Sequence, residues 1–279
     1  MNDFSYLGEK IKESPFILHP FQHIEITHFL RKDHLDIILK EKQIHFEEQK
    51  SHEQLYSTLL EKKWKILHFP GCTTDWNTYK KYWNQKKVDE KNPIENIGIT
   101  FRLDKVQNPI IQDLIQYMNS PLFHDILRDK FSLKKATSII SAIQKNLSGY
   151  EISPHPDKRG KALTYLLNIN HEIDKSCHTH LLQFLPKYKS IEKYWNENQN
   201  VERCWVPWEW CKTAKLTNKN NSIIIFAPTS EPASLHAVKL KYDHLPTQRT
   251  QIYGNLMFSE TKHCQDANYK QLEKVYKST

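Results

Sequence analysis

Apolar residues recur along this chain with two different spacings, and the change from one to the other divides it. In the first part the spacing is helical. Ile110, Ile111, Leu114, Ile115 and Met118 follow Asn108-Pro109, and Leu122, Phe123, Ile126 and Leu127 follow Ser120-Pro121. In both cases a side chain able to accept from the first backbone N–H groups precedes a proline that suits the first turn, so two consecutive helices are predicted. An earlier helix is predicted from an Asp33 cap, with Leu35, Ile38 and Leu39 on one side, after a strand over Phe21–Leu30. These stripes suit packing on one face of a sheet. From about Ala136 to Phe258 the pattern shortens to strands at 137–145, 148–153, 161–169, 180–185, 222–227, 234–241 and 248–258. Many short strands between turns favour a mainly β sandwich or barrel over a parallel α/β sheet. The organisation expected is a supporting region 1–135, a β core 136–260 and a tail 261–279. An insertion over 186–221 carries Tyr194, Trp195, Trp205, Trp208 and Trp210, and reads equally as a binding loop or as an aromatic cluster packed on the core edge.

Composition narrows the setting. No apolar run approaches the ~18 residues of a membrane span, and Met1–Lys12 has no apolar signal-peptide core, so the cytoplasm is the expected location. The 5 cysteines form no Cys-x-x-Cys pair, which points to reduced thiols rather than a disulfide framework or zinc knuckle. The net charge of +8 comes from lysines scattered among glutamates, which reads as solvated surface more readily than as a nucleic-acid patch. Oligomeric state is left open.

The chemistry centres on Ser153-Pro154-His155-Pro156-Asp157, at the end of a predicted strand. Residues two apart in extended chain share a face, so His155 and Asp157 can offer an imidazole and a carboxylate to one cation. The flanking prolines restrict the backbone beforehand. A second histidine, His236, lies in a strand ~80 residues on. Two histidines and a carboxylate on one face are the ligand set of non-haem iron(II) oxygenases, and equally allow a zinc ion with a water for hydrolysis. Arg249, 13 residues after His236, bears on this choice. If Tyr242–Thr247 is a hairpin turn, the returning strand brings a guanidinium beside the metal strand, where its planar fork can take the far carboxylate of a keto acid. A hydrolase has no use for it. His178 and His180, beside Cys177, open a strand where ligands are not expected, and His19, His23 and His28 are assigned to structure or surface.

Gly149 through Asp157, Lys161 through Asn170, Asn221 through Phe226 and His236-Ala237-Val238 together resemble the prolyl-4-hydroxylase-like branch of the Fe(II)/2-oxoglutarate-dependent oxygenases, as does the entry from Pro20 to Leu30. The resemblance covers most of the chain. It implies a double-stranded β-helix (a jelly roll, cupin-like) with flanking helices, and Fe(II), 2-oxoglutarate and O2 as cofactor and cosubstrates. His155, Asp157 and His236 correspond to the metal ligands and Arg249 to the residue gripping the distal carboxylate. Thr164 and Asn168 would share the cosubstrate face of their strand. Asn168 and Asn146 stand where relatives carry tyrosines. Asn255 stands where nucleic-acid demethylases carry a second arginine, which argues against a nucleic-acid substrate. Asp157 is a small residue in halogenating relatives, so its carboxylate favours hydroxylation, or a related desaturation or ring closure. The substrate implied is a small molecule or a peptidyl or glycan-linked group, with succinate and CO2 released. Trp205, Trp208 and Arg203 are candidates for its entrance. Two other functions remain open: a zinc hydrolase on the same ligands, and a basic, aromatic module binding single-stranded nucleic acid.

Overall fold

Strand order, more than any single motif, defines the architecture. The computed structural model describes residues 3–277 apart from 48, 68–74, 86–90, 92, 94–97, 148, 172–177, 218, 229–230, 241–248 and 262. The first part contains α1 (Ser5–Glu13), β1 (His23–Thr27), α2 (Lys32–Lys40), α3 (His52–Glu61), β2 (Trp64–Ile66), α4 (Trp76–Gln85), β3 (Thr100–Leu103), α5 (Pro109–Met118) and α6 (Pro121–Lys130). There follow β4 (Thr137–Asn146), β5 (Glu151–His155), β6 (Lys161–Asn168), β7 (Thr179–Phe184), α7 (Lys189–Glu197), β8 (Cys211–Thr217), β9 (Ser222–Phe226), β10 (His236–Lys239), β11 (Arg249–Phe258) and α8 (Tyr269–Lys277). A major sheet runs β1-β9-β6-β11-β4-β3-β2 and a minor sheet β5-β10-β7-β8, every pairing antiparallel. From β4 to β11 the chain therefore alternates between facing sheets in the manner of a jelly roll, the double-stranded β-helix.

Side-chain alternation explains why both faces of the major sheet are filled. In β9, Ile223 and Ile225 turn outward into the principal core with the helices, whereas Ile224 and Phe226 turn inward to meet Leu166 and Leu181 between the sheets. The outward core is closed by α1, α5 and α6, through Leu7, Ile11, Leu114, Met118, Phe123 and Leu127. Asn108 accepts from the N–H groups of Ile110 and Ile111 at 3.0 and 3.4 Å, and Ser120 from Phe123 at 3.2 Å, as their positions before Pro109 and Pro121 require. For α2 the cap position is Arg31, without a side-chain cap. Asp33 sits inside the first turn, where its charge still complements the helix dipole.

Three further differences from the sequence reading have clear causes. The stretch 211–217, assigned to the insertion, forms β8 on the edge of the minor sheet, where a polar sequence suffices because its outer edge pairs with no strand among the described residues. The rest of the insertion roofs the minor sheet. Trp195 and Trp210 are buried with Tyr188, Leu182 and Phe184, and α8, in the tail, adds Leu272 to that cluster. Thirdly, β10 has β5 and β7 on its two edges, so β11 crosses to the major sheet between β4 and β6. The expected hairpin is a crossover between sheets; Tyr242–Thr247 themselves lie outside the described residues.

Gly254 illustrates how closely β11 and β6 approach. A Cβ there would stand 2.1 Å from the Tyr165 ring, whose hydroxyl bonds Ser141 across the strand. Gly254→Ala is expected to destabilise by about 1–3 kcal/mol through this overpacking, read as a lowered urea midpoint at unchanged slope. An unchanged midpoint would contradict the packing described. Acid sensitivity follows from His52, which is buried, and His45, which is half-buried with its Nε2 covered. Burial lowers the pKa of His45 to about 2 and of His52 to about 4, from 6.5. Below about 6.5 the unfolded chain then binds more protons than the folded one, so stability is fully present above that pH and declines as pH falls. Urea titrations at pH 7.5, 6 and 5 are expected to show this decline, and His52→Gln to make it shallower.

Candidate metal centre

Antiparallel pairing of β5 with β10 sets His236 directly opposite His155. The two imidazoles stand side by side on the inner face, ring centroids 4.4 Å apart. Each ring is fixed in the same way. His155 Nδ1 donates to Ser153 O at 2.8 Å, and His236 Nδ1 to Ser234 O at 3.0 Å. This places the proton on Nδ1 and leaves Nε2 as a lone-pair donor facing the cavity. Trp205 stacks on His155 at 5.8 Å, and Phe226 packs on His236 at 4.9 Å. The backbone N–H of Val206 holds the Trp205 segment to Pro154 O at 2.8 Å.

Asp157 completes the set from the turn after β5. Its Oδ2 lies 3.9 Å from His236 Nε2. One ligand atom from each of His155, Asp157 and His236 lies within 4.8 Å of the others, and among the described residues no other His, Cys, Asp and Glu group does so. A cation bonds such donors at roughly 2.0–2.2 Å, so a small inward movement closes the site on an ion. Thr164 donates its hydroxyl to Oδ2, and Lys161 Nζ donates to Oδ1 at 2.6 Å and to the Tyr253 hydroxyl at 2.8 Å.

The protonation states suit a cation. Burial lowers the His155 pKa to about 3, helped by its neighbour His236 and opposed by Asp157; burial likewise lowers that of His236. Both imidazoles are therefore neutral near pH 7. Burial raises the Asp157 pKa, but the Lys161 ammonium, through its charge and its hydrogen bond, more than offsets this and holds the carboxyl ionised. Two neutral nitrogen donors and one carboxylate form a donor set that suits iron(II) and zinc alike.

Arg249 lies 2 % exposed at the start of β11. Its Nη1 donates to Asn146 Oδ1 at 2.8 Å, in direct register on β4, and its Nη2 to Thr179 Oγ1 at 2.7 Å on β7. The guanidinium is thus clamped between both sheets, and it lines the same cavity of about 380 Å³ as the triad. Arg203 and Trp205 also line it. Arg203 is buried, with Nη1 on Pro228 O at 2.7 Å and Nη2 on Asn196 Oδ1 at 3.2 Å.

The remaining site candidates occupy different places. Thr164 lines the cavity and donates its hydroxyl to the Asp157 carboxylate, so it orients a candidate ligand. Asn168 is not among the lining residues; its Nδ2 is directed at Lys219 O, 3.5 Å away. Trp208 is not a lining residue either. It covers the outer face of the minor sheet, donating to Glu151 Oε1 at 2.7 Å and meeting His180 edge-on at 5.2 Å. Lys161 and Thr179 carry positioning contacts that no sequence signal marked, and Asn146, noted at a tyrosine's place, clamps Arg249. Lys161 gave no periodic signal, because a register shift at Leu256/Met257 displaces the alternation where β6 begins.

No family model matches the sequence, and neither does any curated protein. Among solved structures, a Pseudomonas putida prolyl-4-hydroxylase is similar over 92% of this chain and 99% of its own, at 9% identity and TM-score 0.44. A Burkholderia pseudomallei oxidoreductase of the 2OG-Fe(II) oxygenase family is similar over 80% and 98%, at 12% and 0.35. The nogalamycin-biosynthesis epimerase SnoN, a non-heme alpha-ketoglutarate-dependent enzyme, is similar over 91% and 82%, at 7% and 0.43. At this level of likeness the chemistry rests on the chain's own geometry. No helix among the described residues is long and apolar enough to cross a membrane.

The geometry gives a direct expectation. Anaerobic titration with Mn(II) or Fe(II) should give one tight site per chain. Asp157→Ala and His236→Ala should each weaken it by a factor of 100 or more, on the order of losing one of three ligands. Unchanged affinity in either variant would show that the ion binds elsewhere.

Proposed function

We propose that this chain is an Fe(II)- and 2-oxoglutarate-dependent oxygenase. It hydroxylates an unactivated C–H bond of a small molecule or of a peptidyl or glycan-linked group, releasing succinate and CO2. The observation that supports this most is the meeting, in one cavity, of the His155–Asp157–His236 set with the clamped guanidinium of Arg249.

Iron(II) held by the three side chains supplies the activation of O2, coupled to oxidative decarboxylation of the keto acid. The protein's part is positional. His155 and His236 present Nε2 as neutral donors because their Nδ1 protons are engaged by Ser153 and Ser234. Asp157 stays ionised beside Lys161, and Thr164 restrains its rotation. Arg249 receives the distal carboxylate of 2-oxoglutarate by charge-assisted hydrogen bonds, with Asn146 and Thr179 fixing the direction of the fork. Trp205, stacked on His155, shields one side of the site from water. Holding a substrate C–H bond next to the ion completes what the protein contributes.

Succinate formation from 2-oxoglutarate is expected to require both Fe(II) and O2, and to vanish in Asp157→Ala. Arg249→Ala is expected to raise KM for 2-oxoglutarate by about 10- to 100-fold, the loss of charged hydrogen bonds, with a smaller change in kcat. Oxygen-independent turnover supported by Zn(II) would instead establish the hydrolase.

A further inference from the structure

The cavity continues past the triad along the inner face of the major sheet. Gln251 on β11 is in register with Gln144 on β4, and Gln144 with Arg102 on β3. With strands ~4.8 Å apart, this row carries polar side chains about 10 Å across the sheet. All three residues line the cavity. Gln251 is 1 % exposed, yet its Oε1 has no hydrogen-bond partner. The buried Nε of Arg102 has none either. The nearest carboxylate along its strand, Asp104, is occupied by Lys65 at 2.8 Å. Buried polar groups without partners are destabilising, and a ligand that supplies the partner removes the penalty.

The charges around the cavity are lopsided. Five cationic side chains line it against the single carboxylate of Asp157. Lys161 is engaged by Asp157 and Tyr253, Arg249 by Asn146 and Thr179, and Arg203 by Pro228 O and Asn196. Lys158 is exposed. Arg102 is the half-buried cation facing the stretch beyond the triad, where Leu67, Tyr150, Ile152 and Val238 form apolar walls.

We propose that the substrate of this site carries a carboxylate which Arg102 receives in a two-point hydrogen bond. Its apolar body lies between Tyr150 and Ile152, and the amides of Gln144 and Gln251 bond its polar groups. The class is a monocarboxylic acid with an apolar body whose C–H bond reaches the triad. That such a bond is oxidised rests on the oxygenase reading; the recognition of the acid does not. Arg102 is a specificity residue distinct from Arg249, which sits deeper, at the junction of both sheets.

The test compares matched acids and neutral amides on the whole chain, loaded with Zn(II) as a redox-inert ion and saturated with 2-oxoglutarate. Benzoate with benzamide, and hexanoate with hexanamide, are titrated by saturation-transfer NMR. In the wild type the acids are expected to bind about tenfold or more tighter than the amides. Arg102→Gln is expected to erase the preference and Arg102→Lys to restore part of it. In Arg102→Gln the Kd for 2-oxoglutarate and the melting temperature stay as in the wild type. Equal binding of acids and amides by the wild type overturns the proposal, as does a preference that survives in Arg102→Gln. A weakened Kd for 2-oxoglutarate in Arg102→Gln overturns it too, by assigning Arg102 to the cosubstrate. Absence of metal-dependent 2-oxoglutarate binding in the wild type counts against the oxygenase reading alone, because the acid–amide comparison is still read.

Discussion

The pairing of β5 with β10 is the constraint on which the site depends. It puts His155 and His236 across from one another, and the carbonyl two residues before each histidine fixes its ring. Sheet register therefore decides the spacing of the nitrogen donors, and the local carbonyls decide their tautomer. A slip of one residue would send one imidazole to the outer face, where the Trp-rich roof packs. The minor sheet is guarded against such a slip from both sides: β7 pairs with β10 in register, and α7 with Trp195, Trp210 and Leu272 closes its outer face.

Electrostatics build on that geometry. Asp157 is buried, which alone would favour its neutral form; the Lys161 ammonium reverses the balance and leaves an anion among neutral imidazoles. A dication then enters a site with one compensating carboxylate. The remaining cations line the walls of the cavity, with Arg249 held at the junction of the two sheets and Arg102 out on β3. The three candidate ligands thus come from β5, β10 and the segment just after β5, while Arg249 and Arg102 reach the same cavity from the major sheet.

Much of this was legible in the sequence because it was written in short-range pattern. Pro109 and Pro121, each preceded by a capping side chain, marked two helices, and alternation marked seven of the eight strands of the jelly roll. His155 and Asp157 declared themselves by spacing. What stayed hidden depends on partners distant in sequence. The Cys211–Thr217 strand has few apolar residues because it forms a sheet edge. Trp208 and Trp205 look alike in sequence, yet one covers the outer face of the minor sheet and the other stacks on His155. Thr164 shares the inner face with Leu166 as alternation requires, but which carboxylate it meets is set by the turn after β5. Lys161 escapes alternation altogether because of a register shift.

A crystal structure of the Fe(II)-loaded protein with 2-oxoglutarate, prepared without oxygen, tests the central claim most directly. The account requires one ion bonded to Nε2 of His155, Nε2 of His236 and an Asp157 oxygen, chelated by the keto acid, with the distal carboxylate on Arg249. An ion bound by only one of the two histidines, or a keto acid whose distal carboxylate lies away from Arg249, would contradict it.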